Sequence, residues 1–183
     1  MKIEISKDKA SRLLNCGMLV MVTAAAKDKA TITPCAWRLP LSRKPPALGV
    51  ALAKSHYSSE LIRQGEEFIV NIPVWGLLDK VKSCGSVSGR KVDKFSAFGL
   101  SRQKPCILSK TPAIAECIAH IECSLFDVKE VGDHFLFLGE VVYAQAEEKN
   151  FVHDLWSIAG VEFIFHVGGE LFFKSSVPGA AVS

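Results

Sequence analysis

The sequence predicts a mainly β fold: a small antiparallel barrel of six or seven strands with short helical inserts, built as one domain over residues 1–183. Three observations predict it. Short apolar runs rich in strand formers recur along the chain, bounded by polar or proline-bearing turns. They do not alternate regularly with helical patterns, which disfavours a doubly wound parallel sheet. Two long segments, 116–128 and 134–148, are joined only by KEVGD (129–133), as expected of an extended antiparallel hairpin.

Taken in order, SKDKASRLLN (6–15) has the pattern of a short helix closed by Asn15 and Gly17. MLVMVTAA (18–25) is a dense apolar strand, KDK (27–29) a turn, and ATITPCAW (30–37) a second strand with Thr31 and Thr33 on one face. Pro34 removes a backbone donor there, so this strand belongs at an edge or a bulge. LPLSRKPP (39–46), with three prolines, predicts an irregular stiff loop. ALGVALA (47–53) is a buried strand. SSELIRQGEE reads as a helix with a serine cap and Gly65 as its stop. EFIVNIP (67–73) is a strand, and VWGLLDKVKSC (74–84) a helix presenting Leu77, Leu78, Val81 and Cys84 on one face. GSVSGRKVDKF (85–95) is a loop, and 99–115 is irregular around Pro105 and Pro112. In 116–128, Cys117, Ala119, Ile121, Cys123 and Leu125 alternate with His120, Glu122 and Ser124. Gly139 interrupts the following strand and marks a bend or a close approach. VEFIFHV (161–167) and ELFFK end the pattern.

Composition narrows the function. Hydrophobic residues make up 49% and charged residues 22%, with a net charge of +3, which is the balance of a globular domain. No basic tract exceeds two adjacent residues, so a barrel that binds nucleic acid is disfavoured. The start is charged, without the apolar core of a secretion signal, and no apolar run nears the ~20 residues of a membrane span. The expected address is the cytoplasm. Cys16, Cys35, Cys84, Cys106, Cys117 and Cys123 form no C-x-x-C pair and no zinc spacing, so buried free thiols are expected. Cys117 and Cys123, six apart, are expected on one strand face.

Four stretches carry chemistry. KSHYSSELI (54–62) places Lys54, Ser55, Ser58 and Ser59 where a strand hands over to a helix. Hydroxyls, helix N-terminal amides and a cation suit a phosphate monoester, and the same serines would equally cap a helix with nothing bound. SGRKVDKF adds a glycine-loosened loop in which Lys94, two residues after Val92, can point inward. Thr31, Thr33, Pro34, Ala36 and Trp37 offer an edge strand and a flat wall for a planar ring. GDH (132–134) sets His134 at a strand mouth, placed to titrate or touch a ligand. No G-x-G-x-x-G follows a strand, and no G-x-S-x-G elbow or H-E-x-x-H occurs.

In their order, TITPCAWRLPLSRKPPALGVALAKSHYSSELI, EFIVNIP, CGSVSGRKVDKF and ECIAHIECSLFDVKEVGDHFLFLGEVV resemble the flavin reductase-like FMN-binding family, including flavoredoxin and the archaeal ferric reductase type. The resemblance spans roughly residues 18–147. It implies a split β-barrel, a homodimer and noncovalent FMN, with NAD(P)H as reductant and flavin, ferric iron or another acceptor as the outlet. An electron carrier reduced by a partner protein is the alternative. By this resemblance Thr31, where relatives often carry Asn, and Thr33, Pro34, Ala36 and Trp37 flank the ring. Lys54, Ser55, Ser58 and Lys94 hold the phosphate, Phe165 completes the pocket, and His134 is the catalytic candidate.

Overall fold

The computed structural model describes residues 17–157 and 160–175, with Ser6, Ser11, Leu13 and Leu14. The helix expected over 6–15 lies largely outside the described residues. The fold is a split β-barrel. One seven-stranded antiparallel sheet runs in the order β2-β1-β5-β8-β9-β4-β3. Its strands are β1 (Val20–Ala26), β2 (Lys29–Cys35), β3 (Arg38–Arg43), β4 (Pro46–Ala53), β5 (Glu67–Ile72), β8 (Ala119–Val131) and β9 (His134–Ala146). Helices α1 (Tyr57–Gly65), α2 (Leu78–Ser86) and α3 (Lys94–Ala97) are the inserts. Three two-stranded ribbons complete it: β6 (Arg102–Gln103) with β7 (Ala113–Ile114), β10 (Phe151–Val152) with β11 (Leu155–Trp156), and β12 (Ile164–Gly168) with β13 (Leu171–Lys174).

The core forms on both faces of β1. Val20, Val22, Ala24 and Ala26 point into the barrel with Leu52, Ile62, Phe68 and Phe137. Leu19 and Met21 point the other way, against Val81 and Cys84 of α2, Phe95 of α3, Ile114 and Ile164. A strand covered on both faces reads as a continuous apolar run, as 18–25 does. Burying a leucine-sized side chain contributes roughly 1.5–3 kcal/mol, so this double layer supplies much of the stability. Gly139 permits a close contact inside the barrel. A Cβ there would lie 2.6 Å from Cζ of Phe68 and 2.8 Å from Cβ of Cys123.

Several expectations are corrected. LPLSRKPP is not an irregular loop: residues 38–43 form edge strand β3. The carbonyl of Trp37 accepts from Ala51 N at 2.8 Å, so alternation turns the nitrogen of Pro40 away from β4, where a missing donor costs nothing. A cis Lys44–Pro45 bond lies in the β3–β4 turn. The α1 cap is His56, with no side-chain cap bond, rather than a serine. Gly65 does not stop the helix by its own geometry; Glu66 takes the left-handed conformation at φ 59°. Gly65 is small because a Cβ would sit 2.1 Å from the carbonyl oxygen of Ala25. The 74–84 helix begins as a 3-10 turn, Trp75–Leu77, before α2. The hairpin turn shrinks to Gly132 and Asp133, because β8 runs on to Val131. Cys117 and Cys123 do not share a face: Cys117 precedes β8 and packs with α2 and α3, while Cys123 lies in the barrel. Four thiols, Cys35, Cys84, Cys117 and Cys123, are buried and free, whereas Cys106 is exposed.

Candidate functional site

The site develops along the outer edge of β2. The carbonyl of Ile32 faces away from β1, since it accepts from Lys94 Nζ at 2.7 Å. By alternation the nitrogen of Pro34 turns to the same open edge, so the proline leaves no donor unmet there. Two donor-rich loops close on this edge. Residues 54–56 join β4 to α1, and residues 87–93 join α2 to α3. Gly89 lets them meet: a Cβ on it would fall 2.0 Å from Oγ1 of Thr31 and 3.2 Å from the Tyr57 ring. Arg90 fastens the junction by donating to Ser55 O at 3.2 Å and to Glu60 at 2.7 Å.

Between them lies a cavity of about 310 Å³ whose walls include Thr31, Thr33, Ser55, Ser86, Ser88 and Lys94. Thr31 Oγ1 is fully buried and has no hydrogen-bond partner. Thr33 donates to Ser58 Oγ at 2.9 Å. Lys94 is 4% exposed and donates to Ile32 O and Cys84 O, which leaves one of its three N–H groups unspent. Burial holds the Lys94 pKa below the ordinary lysine value, partly offset by Cys84.

A second cavity of about 410 Å³ adjoins the first through Pro34 and His56. Trp37, Ala36, Cys35, His134 and His166 also line it. The Trp37 and His134 rings lie 4.9 Å apart at 31°. His134 Nδ1 pairs with Asp133 Oδ1 at 2.7 Å, leaving Nε2 as the nitrogen free for the cavity. Burial, with Lys94 and His134 nearby, lowers the His56 pKa. The Cys35 thiol donates to Trp37 O and is pushed up to about 12 by burial, so it serves as packing rather than as a nucleophile. A third lobe, of about 460 Å³, opens between α2 and the β12–β13 turn.

The structure therefore gathers Thr31, Thr33, Pro34, Ala36, Trp37, Ser55, Lys94 and His134 along one cleft. Three expected residues lie elsewhere. Strand alternation sends Ala53 to the ring-sized cavity and Ser55 to the hydroxyl-lined one, but turns Lys54 away to pair with Glu130. Ser58 is wholly buried behind Thr33 and backs the cavity without lining it. Phe165 stacks on Phe173, with ring centroids 4.9 Å apart, and packs on the barrel core. Its neighbour His166 faces the cleft instead. His56 and His166 are the residues that sequence reasoning missed. His56 stood inside a quoted stretch, while His166 is a lone polar residue in an apolar run.

Among the described residues no helix is long and apolar enough to cross a membrane. Residues 13–157 match the family model described as a flavin reductase like domain. Uncharacterized protein YddH of Escherichia coli is 30% identical over 178 residues, covering 94% of each chain. Flavoredoxin from Methanosarcina acetivorans superposes with a TM-score of 0.81 at 28% identity, covering 100% of this chain and 96% of that one. An FMN-binding domain of a flavin reductases-like enzyme from Shewanella baltica gives 0.81 at 27%, covering 97% and 95%. With the family model matched over most of its length, the chain belongs to the flavin reductase-like family.

Proposed function

We propose that this protein binds FMN without covalent attachment along the β2 edge and acts as an NAD(P)H-dependent oxidoreductase, passing electrons to flavin, ferric iron or another acceptor. The observation that carries the reading is Thr31 Oγ1, a fully buried hydroxyl with no protein partner in a cavity it shares with Ser55, Ser88 and Lys94. An unsatisfied buried hydroxyl costs about 1–3 kcal/mol, a cost that a ligand oxygen would remove. The donor set suits the phosphate and polyol end of FMN: hydroxyls, a spare ammonium N–H, and a loop whose Gly89 admits close backbone approach. The wider cavity, with Trp37 on one wall, suits a planar ring. Its homologues of known structure include an FMN-binding domain, which supports the same cofactor.

FMN supplies the electron chemistry when bound. The chain's own residues bind and orient. Lys94 places a cation at the closed end. Trp37 and Ala36 give the ring an apolar wall. His134, held by Asp133, presents Nε2 as a group that can carry a proton at the open side. A homodimer fits the exposed apolar side chains of Trp37, Leu39 and Leu41 on the β3 edge beside the cleft. Buried reduced thiols suit a cytoplasmic setting.

The test is the visible spectrum of the purified protein before and after anaerobic addition of NADPH or NADH. Flavin absorbance that bleaches within seconds is expected; a colourless protein that takes up no added FMN overturns the reading. The likeness to flavoredoxin favours a second reading, an electron carrier reduced by a partner protein. Flavin that bleaches only with a reduced redox protein, and not with NAD(P)H, would select it.

A further inference from the structure

The third lobe, of about 460 Å³, is continuous with the cleft. It shares Pro34, Ala36, His166 and Gly169 with the Trp37–His134 cavity, so a molecule in it would lie beside the proposed flavin ring. The phosphate end and the ring of FMN account for the other two cavities. The third is left over, and its size falls within the roughly 300–1,000 Å³ of small-molecule pockets.

Its walls say what it would hold. Leu19, Val81 and Phe172 make them apolar. Its two charged side chains offset each other: Lys82 of α2 pairs with Glu170 of the β12–β13 turn at 3.5 Å. The Ser86 hydroxyl is spent on Ser83 O at 3.0 Å. An anionic ligand therefore finds no unpaired lysine or arginine in the lobe. His166 is the polar group that both cavities share. Its Nε2 lies 3.0 Å from Gly169 O, which can only accept, so Nε2 carries the hydrogen. The Phe172 ring, with its centroid 4.8 Å away, braces the imidazole. Nδ1 is then left for a ligand, as an acceptor while the ring is neutral and as a donor once it is protonated. The matching molecule is uncharged, planar and largely apolar. It offers an oxygen that accepts a hydrogen bond before reduction and donates one after it. A quinone and its hydroquinone meet that description.

We propose that the third lobe is the acceptor subsite, taking an uncharged quinone, with His166 as the group that hands it a proton. The inference rests on the reading of the protein as an FMN-bearing NAD(P)H oxidoreductase and names the class of its acceptor. Reduction of a quinone to its hydroquinone takes two electrons and two protons. NAD(P)H gives up both electrons and one proton, by way of FMN, and is oxidised to NAD(P)+. The His166 imidazolium gives the second proton to a quinone oxygen and is reprotonated from solvent.

The experiment titrates two quinones by calorimetry into protein saturated with oxidised FMN, for wild type and Ser83→Leu. Menadione is uncharged, and 1,4-naphthoquinone-2-sulfonate carries an anionic group on a similar ring. Ser83 is half-buried on α2 and lines the lobe, and leucine favours a helix, so the substitution fills the lobe and spares the fold. Menadione is expected to bind wild type about ten-fold more tightly than the sulfonate, and Ser83→Leu to weaken menadione about ten-fold. Equal binding of the two quinones by wild type, or menadione binding that survives Ser83→Leu, overturns the subsite. Loss of FMN affinity in Ser83→Leu also overturns it, because the lobe would then belong to the flavin. Anaerobic stopped flow next follows reoxidation by menadione of protein reduced with dithionite. His166→Gln is expected to slow it at least ten-fold and to remove its decline between about pH 6 and pH 8. A decline that persists in His166→Gln overturns the proton transfer. A protein that takes up no FMN loses the flavin reading, and the same titration on it still decides whether the lobe takes a quinone. One that binds FMN and bleaches with NADPH, yet takes up no menadione, loses only the subsite.

Discussion

On the outer face of β5 and β8, Glu67, Asn71, His120 and Glu122 are buried, and each is met by backbone between residues 106 and 114. On the edge of β2, Thr31 and Lys94 are buried as deeply, yet Thr31 has no partner and Lys94 keeps a spare donor. Both regions bear a desolvation cost. In the first, Glu122 accepts from the N–H groups of Cys106, Ile107 and Leu108, and Glu67 accepts from those of Ser109, Lys110 and Thr111. Two carboxylates thus take six consecutive amides and strap an otherwise irregular segment onto the sheet. The second region is unfinished by comparison. The closed network holds the fold together, and the open one is where the proposed cofactor would complete the pairing.

The largest expected effect tests the closed side. Glu122→Ala leaves three amides without their acceptor and a hole in the polar face, and should cost on the order of 3 kcal/mol in urea unfolding. FMN affinity, measured on the folded fraction, should stay within two-fold, since the strap lies across the sheet from the cleft. Loss of flavin binding with unchanged stability would invert the comparison. Next comes Lys94→Met, which keeps the stem and removes the ammonium. It leaves Ile32 O and Cys84 O unmet and should cost roughly 2 kcal/mol, while weakening FMN at least ten-fold. This residue straddles both categories, so a stability loss without an affinity loss would reduce it to a brace between β2 and α2.

How legible all this was in the sequence depends on the range of the interaction. Hydrophobic patterning reported these strands: β1, β4, β5 and β9 as apolar runs, and β8 by its two-residue alternation. It could not report β3, whose three nearby prolines hide a strand that is permitted only by being an edge. It marked His120 and Glu122 as the polar face of β8, but not that residues 106–114 would cover them, because that depends on pairing between distant segments. The cleft was readable where hydroxyls cluster locally, at 55–59 and 85–94. Lys54 was misplaced because composition does not say which way a strand end turns its side chains. Phe165 was expected at the pocket and His166 faces the cleft in its place for the same reason: adjacent residues on a strand point to opposite faces.

A smaller effect comes from pH. Burial lowers the His120 pKa below its unfolded value near 6.5, against the opposing pull of the Ile114 carbonyl and Glu122. The neutral ring donates from Nε2 to Ile114 O at 2.8 Å and accepts from Gln145 at Nδ1. The folded protein then binds fewer protons than the unfolded chain below about pH 6.5, so stability is complete above that value and falls as pH drops through it. His56, lowered in the same sense, adds to the slope. His120→Gln should flatten, without abolishing, the difference in urea midpoint between pH 7.5 and pH 5.5. An unchanged slope would remove His120 from the strap's energetics.

The smallest effect on stability is the sharpest on meaning. Thr31→Val exchanges a hydroxyl with no partner for a methyl of nearly the same shape. In the flavin-free protein nothing is lost, and stability should hold or rise by up to ~1 kcal/mol, since an unmet polar group leaves the interior. In the same variant FMN should bind roughly five- to ten-fold more weakly, the worth of one neutral hydrogen bond. Stability and affinity moving in opposite directions is what separates a binding group from a packing group, and no residue of the strap can show it, because there each loss of a partner also destabilises the fold. If fluorescence titration finds the affinity unchanged, the lone hydroxyl is a tolerated defect, and the open edge of β2 differs from the closed face of β8 only in being less well finished.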